Sequence, residues 1–139
     1  MGDGNCGFRS AAISLGRSSE EWPQIRQEMV KEMETNPIYQ NTKFMVNVWD
    51  MTFHEARKRL NRTSGPAPLP FWFSFPSHAF LMADTYKKPV VSFSAQMSAT
   101  YLPLTSSPTS DPQISPLCLI FIQERAHIVT FKFVYPLYI

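Results

Sequence analysis

The chain divides by hydrophobic rhythm into a helical first half and an extended second half. Phe8, Ala11, Ala12 and Leu15 recur three and four apart with small residues between them, the spacing of one helix face. This predicts a short buried helix that begins at Cys6 and ends near Gly16. Ser18 and Glu21 have capping-box spacing. Beyond them Trp22, Ile25, Met29 and Met33 mark the inner face of a second helix. Arg26, Gln27, Lys31, Glu32 and Glu34 are assigned to its outer side. Pro23 is tolerable in a first turn, and Asn36-Pro37 stops the helix. Residues 38–47 are mixed and read as loop with a short helix. Thr52 and Glu55 repeat the capping pattern, so residues 52–60 are predicted helical, with Phe53, Ala56 and Leu60 facing in.

A Pro/Gly-rich loop over 61–70 ends this half. Phe71-Trp72-Phe73-Ser74-Phe75 is densely aromatic. It suits a core segment, or the wall of a groove holding an extended peptide. Ser77 is expected to cap a helix over 78–86, closed by Lys87-Lys88-Pro89. Strands are predicted over 89–94 and 100–104, with a polar, Pro-rich surface loop over 105–116. Leu117 to Ile122 is a continuous apolar run, the pattern of a strand buried on both faces. A turn at 123–125 and a last strand over 126–135 complete a hairpin. Helices first and strands second give an α/β (α+β) class, with a mixed central sheet of about five strands flanked by helices.

Composition narrows the function. At 139 residues and 44% hydrophobic, the chain is expected to form one domain over 1–139 with a substantial core. A net charge of +2 is too mild to argue for nucleic acid or a membrane surface, so neither is expected as a partner. No apolar run reaches the roughly 20 residues of a membrane helix. Cys6 and Cys118 could form one disulfide. The absence of dense Cys spacing and of a signal-peptide pattern instead suggests reduced thiols in an intracellular protein, cytoplasmic or nuclear. A monomer is expected. There is no Cys/His cluster at ligand spacing and no Gly-rich phosphate loop, so no metal and no cofactor are expected. Arg57, Lys58, Arg59 and Arg62 read as a solvated basic face.

The chemistry centres on the first ten residues. Asp3-Gly4-Asn5 is a turn former, and it delivers Cys6 to a helix start. Free N–H groups there favour negative charge, and a helix N-terminus can lower a thiol's pKa from its usual value near ~8.5. Backbone N–H groups of Gly4, Asn5 and Cys6 could hold an oxyanion. Cys6 is therefore either a nucleophile or a buried structural Cys after an ordinary turn, and the choice turns on a base. His54 and His78 lie at helix starts and read as surface residues. His127 begins the final strand and on a two-residue period shares a face with Val129, Phe131 and Phe133. That puts it at the rim of the core, where the Cys6 helix would pack.

Asp3-Gly4-Asn5-Cys6-Gly7-Phe8-Arg9 resembles the D-G-N-C-x-F-R signature of the OTU (ovarian tumour) cysteine proteases, mostly deubiquitinases. His127 matches the family's catalytic His in order and context. A looser likeness runs through Ala83-Asp84-Thr85-Tyr86, Pro89-Val90-Val91 and Tyr101-Leu102-Pro103-Leu104, as in OTU-like domains of fungal and transposon-derived proteins. The resemblance implies a papain-like OTU fold and a thiol isopeptidase acting after the C-terminal Gly of ubiquitin, polyubiquitin or a ubiquitin-like modifier. It implies a site of Asp3, Cys6 and His127. Val129 stands where many members carry Asn or Asp to orient the imidazole, and Asp3 is the position commonly assigned as the acid. The alternative is a catalytically weak OTU fold that binds ubiquitin or another partner. The chain begins two residues before the signature, where family members usually carry more chain, so a truncated N-terminus is an expectation too.

Overall fold

The structure, a computed structural model, describes residues 2–106, 115–122 and 125–130. Its helices are α1 (Cys6–Ser14), α2 (Trp22–Thr35), α3 (Thr42–Phe44), α4 (Phe53–Leu60) and α5 (Ser77–Tyr86). The strands are β1 (Val90–Phe93), β2 (Ala99–Tyr101), β3 (Leu117–Ile122) and β4 (His127–Val129). They form one sheet in the order β2-β1-β3-β4. β1 pairs antiparallel with β2 and parallel with β3, matching Val90 to Leu117. β3 and β4 are an antiparallel pair with Ile122 opposite His127. The α+β class with a mixed sheet is as the pattern predicts, with four strands among the described residues rather than about five. Of the expected last strand, residues 127–129 are extended, and 131–135 lie outside the described residues, as does most of the loop over 105–116.

Local chemistry accounts for the helix ends. Ser18 and Glu21 form the complete capping box, which starts a short 3₁₀ turn leading into α2. Thr52 accepts the Glu55 N–H and opens α4. α1 closes where Arg17 N–H reaches Ala12 O and Gly16 N–H reaches Ile13 O. Gly16 sits there at φ +81°, the left-handed ending that glycine permits. Ser77 does not cap α5. The helix begins at Ser77 itself, and that hydroxyl pairs with Ser74 instead. Residues 37–49 are a run of short turns, including a π-helical turn over Met45–Trp49.

α1 packs on β3 and β4, α5 on β1 and β2, and α2 lies against both helices. Phe8, Ile25, Met29, Met33, Leu81, Met82, Leu117 and Leu119 are fully buried between them. Each such large side chain contributes about 1.5–3 kcal/mol. The strand expected over 100–104 stops at Tyr101. Buried Asp84 then takes the N–H groups of Leu104 and Thr105 and the hydroxyl of Tyr39, which draws the chain off the sheet. A buried carboxylate needs such a full set of donors. In β4 the buried residue is Ile128, while His127 and Val129 are half-buried. The core-facing phase is therefore opposite to the one the alternation suggested.

Two polar residues lie where the pattern did not put them. Arg26, assigned to the outside of the second helix, is fully buried. His78, read as a surface residue, is buried among Phe8, Trp49 and Phe73, with ring centroids 5.2–5.8 Å away. Its Nδ1 accepts the Ser74 N–H at 2.9 Å. Burial, followed by the Arg26 charge, depresses its pKa to about 3, so the ring is neutral.

Candidate active site

The site begins with a tightly strapped turn. Asp3 Oδ1 accepts the Asn5 N–H at 3.0 Å, and Asp3 O accepts the Ala67 N–H at 2.7 Å. Gly4 has φ +81°, and a Cβ there would lie 2.2 Å from Ala67 O and 2.5 Å from Trp72 Nε1. Only glycine meets both demands, backbone conformation and close approach. The Asn5 side chain is fully buried and donates to Gly65 O at 3.2 Å. The Pro/Gly-rich loop over 61–70 thus backs the turn. Gly7 in the first turn of α1 lets Phe73 approach, since a Cβ would be 2.4 Å from the Phe73 Cβ.

The turn ends at Cys6, the first residue of α1, whose thiol is partly exposed. Its partner comes from the other end of the chain: Ile128 N–H lies 3.4 Å from Cys6 Sγ. One turn along α1, Ser10 Oγ donates to Ile128 O at 3.0 Å. Residues four apart share a helix face, so Cys6 and Ser10 together hold both main-chain polar groups of one residue, Ile128, on β4. This fixes β4 against α1 and makes His127 the neighbour of the residue whose N–H touches the thiol. Gly2 lies against the His127 ring, where an added Cβ would be 3.3 Å from Nδ1. The structure therefore brings Cys6 and His127 to one locus.

Asp3 points elsewhere. Its Oδ2 pairs with Arg9 Nη2 at 2.6 Å. That hydrogen bond, helped by the Asn5 N–H, lowers the Asp3 carboxyl to about 2 against desolvation. No hydrogen bond joins His127 to Asp3 or Cys6 among the described residues. Val129 pairs with Ile120 and has no group to hold an imidazole. Of the three N–H groups expected to face an oxyanion, that of Asn5 is already engaged by Asp3. His54 stands exposed at the start of α4, as expected.

The sequence reading missed the groups that hold these parts. Arg26 donates to Asn5 Oδ1 from both Nε and Nη2, at 3.2 and 2.9 Å. Ser10 was not singled out, although its spacing from Cys6 was a signal. Beside the site runs a cleft of about 760 Å³, walled by Trp72, Phe73 and Phe75 and reaching Ala126 and Ile128. Within the aromatic segment Phe73 is buried in the core and also reaches the cleft, while Trp72 and Phe75 line it. Trp49 also lines this cleft, and its indole N–H has no acceptor among the described residues.

The cysteines cannot pair. Cys118 N–H donates to Ser14 Oγ at the far end of α1, about 12 Å along the helix from Cys6 at 1.5 Å per residue. A disulfide needs Cα atoms within about 7 Å. Both cysteines are free, and burial raises the Cys118 thiol.

A solved structure shares this architecture. The viral OTU domain protease from Dera Ghazi Khan virus superposes with a TM-score of 0.61 over 95% of this chain and 78% of its own. The fold is OTU-like. Sequence identity over that match is 19%. No family model and no curated protein sequence matches the chain.

Proposed function

We propose that this protein is a thiol-dependent isopeptidase that removes ubiquitin or a ubiquitin-like modifier, with Cys6 as nucleophile and His127 as general base. The observation that carries the reading is the contact of Ile128 N–H with Cys6 Sγ, which sets the strand bearing His127 against a helix-start thiol. The OTU-like fold and the seven-residue turn signature support the substrate class.

His127 takes the proton of Cys6, and the thiolate attacks the carbonyl carbon of the modifier's terminal Gly. The N–H groups at the start of α1 face the developing oxyanion. As the C–N bond breaks, His127 returns the proton to the leaving lysine amine, and a thioester remains. His127 then deprotonates a water, whose oxygen attacks the thioester. The C–S bond breaks, and the modifier leaves with a free carboxylate. Asp3 shapes the turn through Asn5 and Arg9, and its carboxylate does not orient the base. The aromatic cleft is suited to an extended apolar tail. The reaction uses no metal or cofactor, and a reduced thiol suits the cytoplasm or nucleus.

One observation favours the second reading, a weakly catalytic binding domain: His127 has no carboxylate or amide partner among the described residues. Ubiquitin bearing a C-terminal thiol-reactive electrophile tests both, read by intact mass beside Cys6→Ala. One adduct that disappears in the variant supports the isopeptidase. A folded chain that binds ubiquitin without forming an adduct supports the binding domain and sinks the catalytic reading.

A further inference from the structure

The buried guanidinium of Arg26 takes no part in the steps above. It also lacks the usual reason for a buried cation, because none of its hydrogen bonds goes to a carboxylate. Nε and Nη2 share Asn5 Oδ1, Nη2 also reaches Phe71 O at 2.7 Å, and Nη1 reaches Leu60 O and Arg59 O at 3.3 and 3.4 Å. Its Cζ lies 3.9 Å from the centroid of the Phe8 ring. A buried charge without a counter-ion is costly, and a well-packed apolar side chain is often the more stable occupant. What the arginine adds is geometry. Its planar fork joins three separate pieces of chain: the residue before the nucleophile, the last carbonyls of α4, and the start of the aromatic segment that walls the cleft. A lysine ammonium has no such fixed fork.

We propose that Arg26 is a positioning residue for the Cys6 reaction. Through Asn5 it holds the nucleophile turn in register with Phe71, the residue that leads into the cleft wall at Trp72 and Phe73, so that the thiol and a bound acyl group meet at reacting distance. The proposal rests on the reading of Cys6 as nucleophile. Small misplacements of reacting groups cost large factors in rate, so the loss belongs in the chemical step and not in binding.

The test uses the full chain and the ubiquitin electrophile, with inactivation separated into kinact and KI. Arg26→Lys and Asn5→Ala are each expected to lower kinact roughly tenfold or more with KI within about twofold. The double variant should lose no more than the worse single, because both cut one link. Protection of Cys118 from alkylation checks that each variant is folded. If Arg26→Lys unfolds, Asn5→Ala carries the test, since it leaves the bonds from Arg26 to Phe71 and Leu60. Native kinact in folded variants, or losses that multiply in the double, overturn the proposal. A native chain that never reacts would fail the nucleophile reading instead. Hydrogen exchange then decides for Arg26: both variants should speed exchange about tenfold over residues 3–7 and 71–73 and leave β1 and β3 unchanged. Native exchange rates there would overturn it.

Discussion

The molecule holds cysteine and histidine in two contrasting settings. At the start of α1, Cys6 is partly exposed, takes the Ile128 N–H, and lies beside the strand that carries half-buried His127. In the interior, Cys118 is packed in β3 with its thiol raised by burial, and His78 is kept neutral inside an aromatic cluster. Composition alone cannot separate the two pairs. Placement separates them: one pair stands at a helix start and a half-buried strand end, while the other lies in a dry core that suppresses charge.

The contrast breaks most completely at the thiols. Cys6→Ala should abolish adduct formation with the ubiquitin electrophile, whereas Cys118→Ala should keep it and lose roughly 1 kcal/mol of stability. Intact mass and urea titration check the two halves. An adduct that survives in Cys6→Ala would erase the distinction.

Next is the base. His127→Ala is expected to slow adduct formation by about 10²–10⁴-fold, measured as kinact at neutral pH, with folding unchanged. A native rate would move the chemistry away from this locus.

The clamp between the two sharpens the comparison. Ser10→Ala leaves the buried Ile128 carbonyl without its hydroxyl donor, which costs about 1–3 kcal/mol. Loosening β4 should also reduce kinact roughly tenfold. Stability that falls without any change in kinact would make Ser10 a packing residue alone.

The interior histidine gives the smallest and most graded effect. Its folded pKa of about 3 lies below the ordinary value of 6.5, so between those values the unfolded chain binds one more proton. Stability from this group is complete above about 6.5 and is lost as pH falls, at about 1.4 kcal/mol per pH unit. Denaturant midpoints for His78→Gln between pH 6.5 and 5 should be correspondingly flatter. A slope equal to native would mean that His78 is already charged in the fold.

How much of this was legible in the sequence follows from what each signal measures. The helical rhythm and the caps placed α1, α2 and α4, and Cys6 and His127 marked two segments that the fold brings together. Arg26 was misplaced because its charge was allowed to outweigh its position. It falls four after Trp22 and three before Met29, in the middle of the apolar stripe. His78 was misread for a related reason. A helix-start histidine looks solvated until the aromatic residues around it, which come from distant segments, are folded onto it. The phase of β4 was missed because the edge strand is covered by α1, and no two-residue period records that. Asp3 pairs with Arg9, six residues on, and a local cation of this kind competes with any long-range partner that a family pattern would suggest.

The clasp on Ile128 also has a meaning in time. It joins residues 122 apart in the chain, so synthesis delivers Cys6 well before the strand that carries His127. Contacts of such long range form late. Cys6 therefore spends part of synthesis without β4 beside it, and the locus is complete only when β3 and β4 dock on α1.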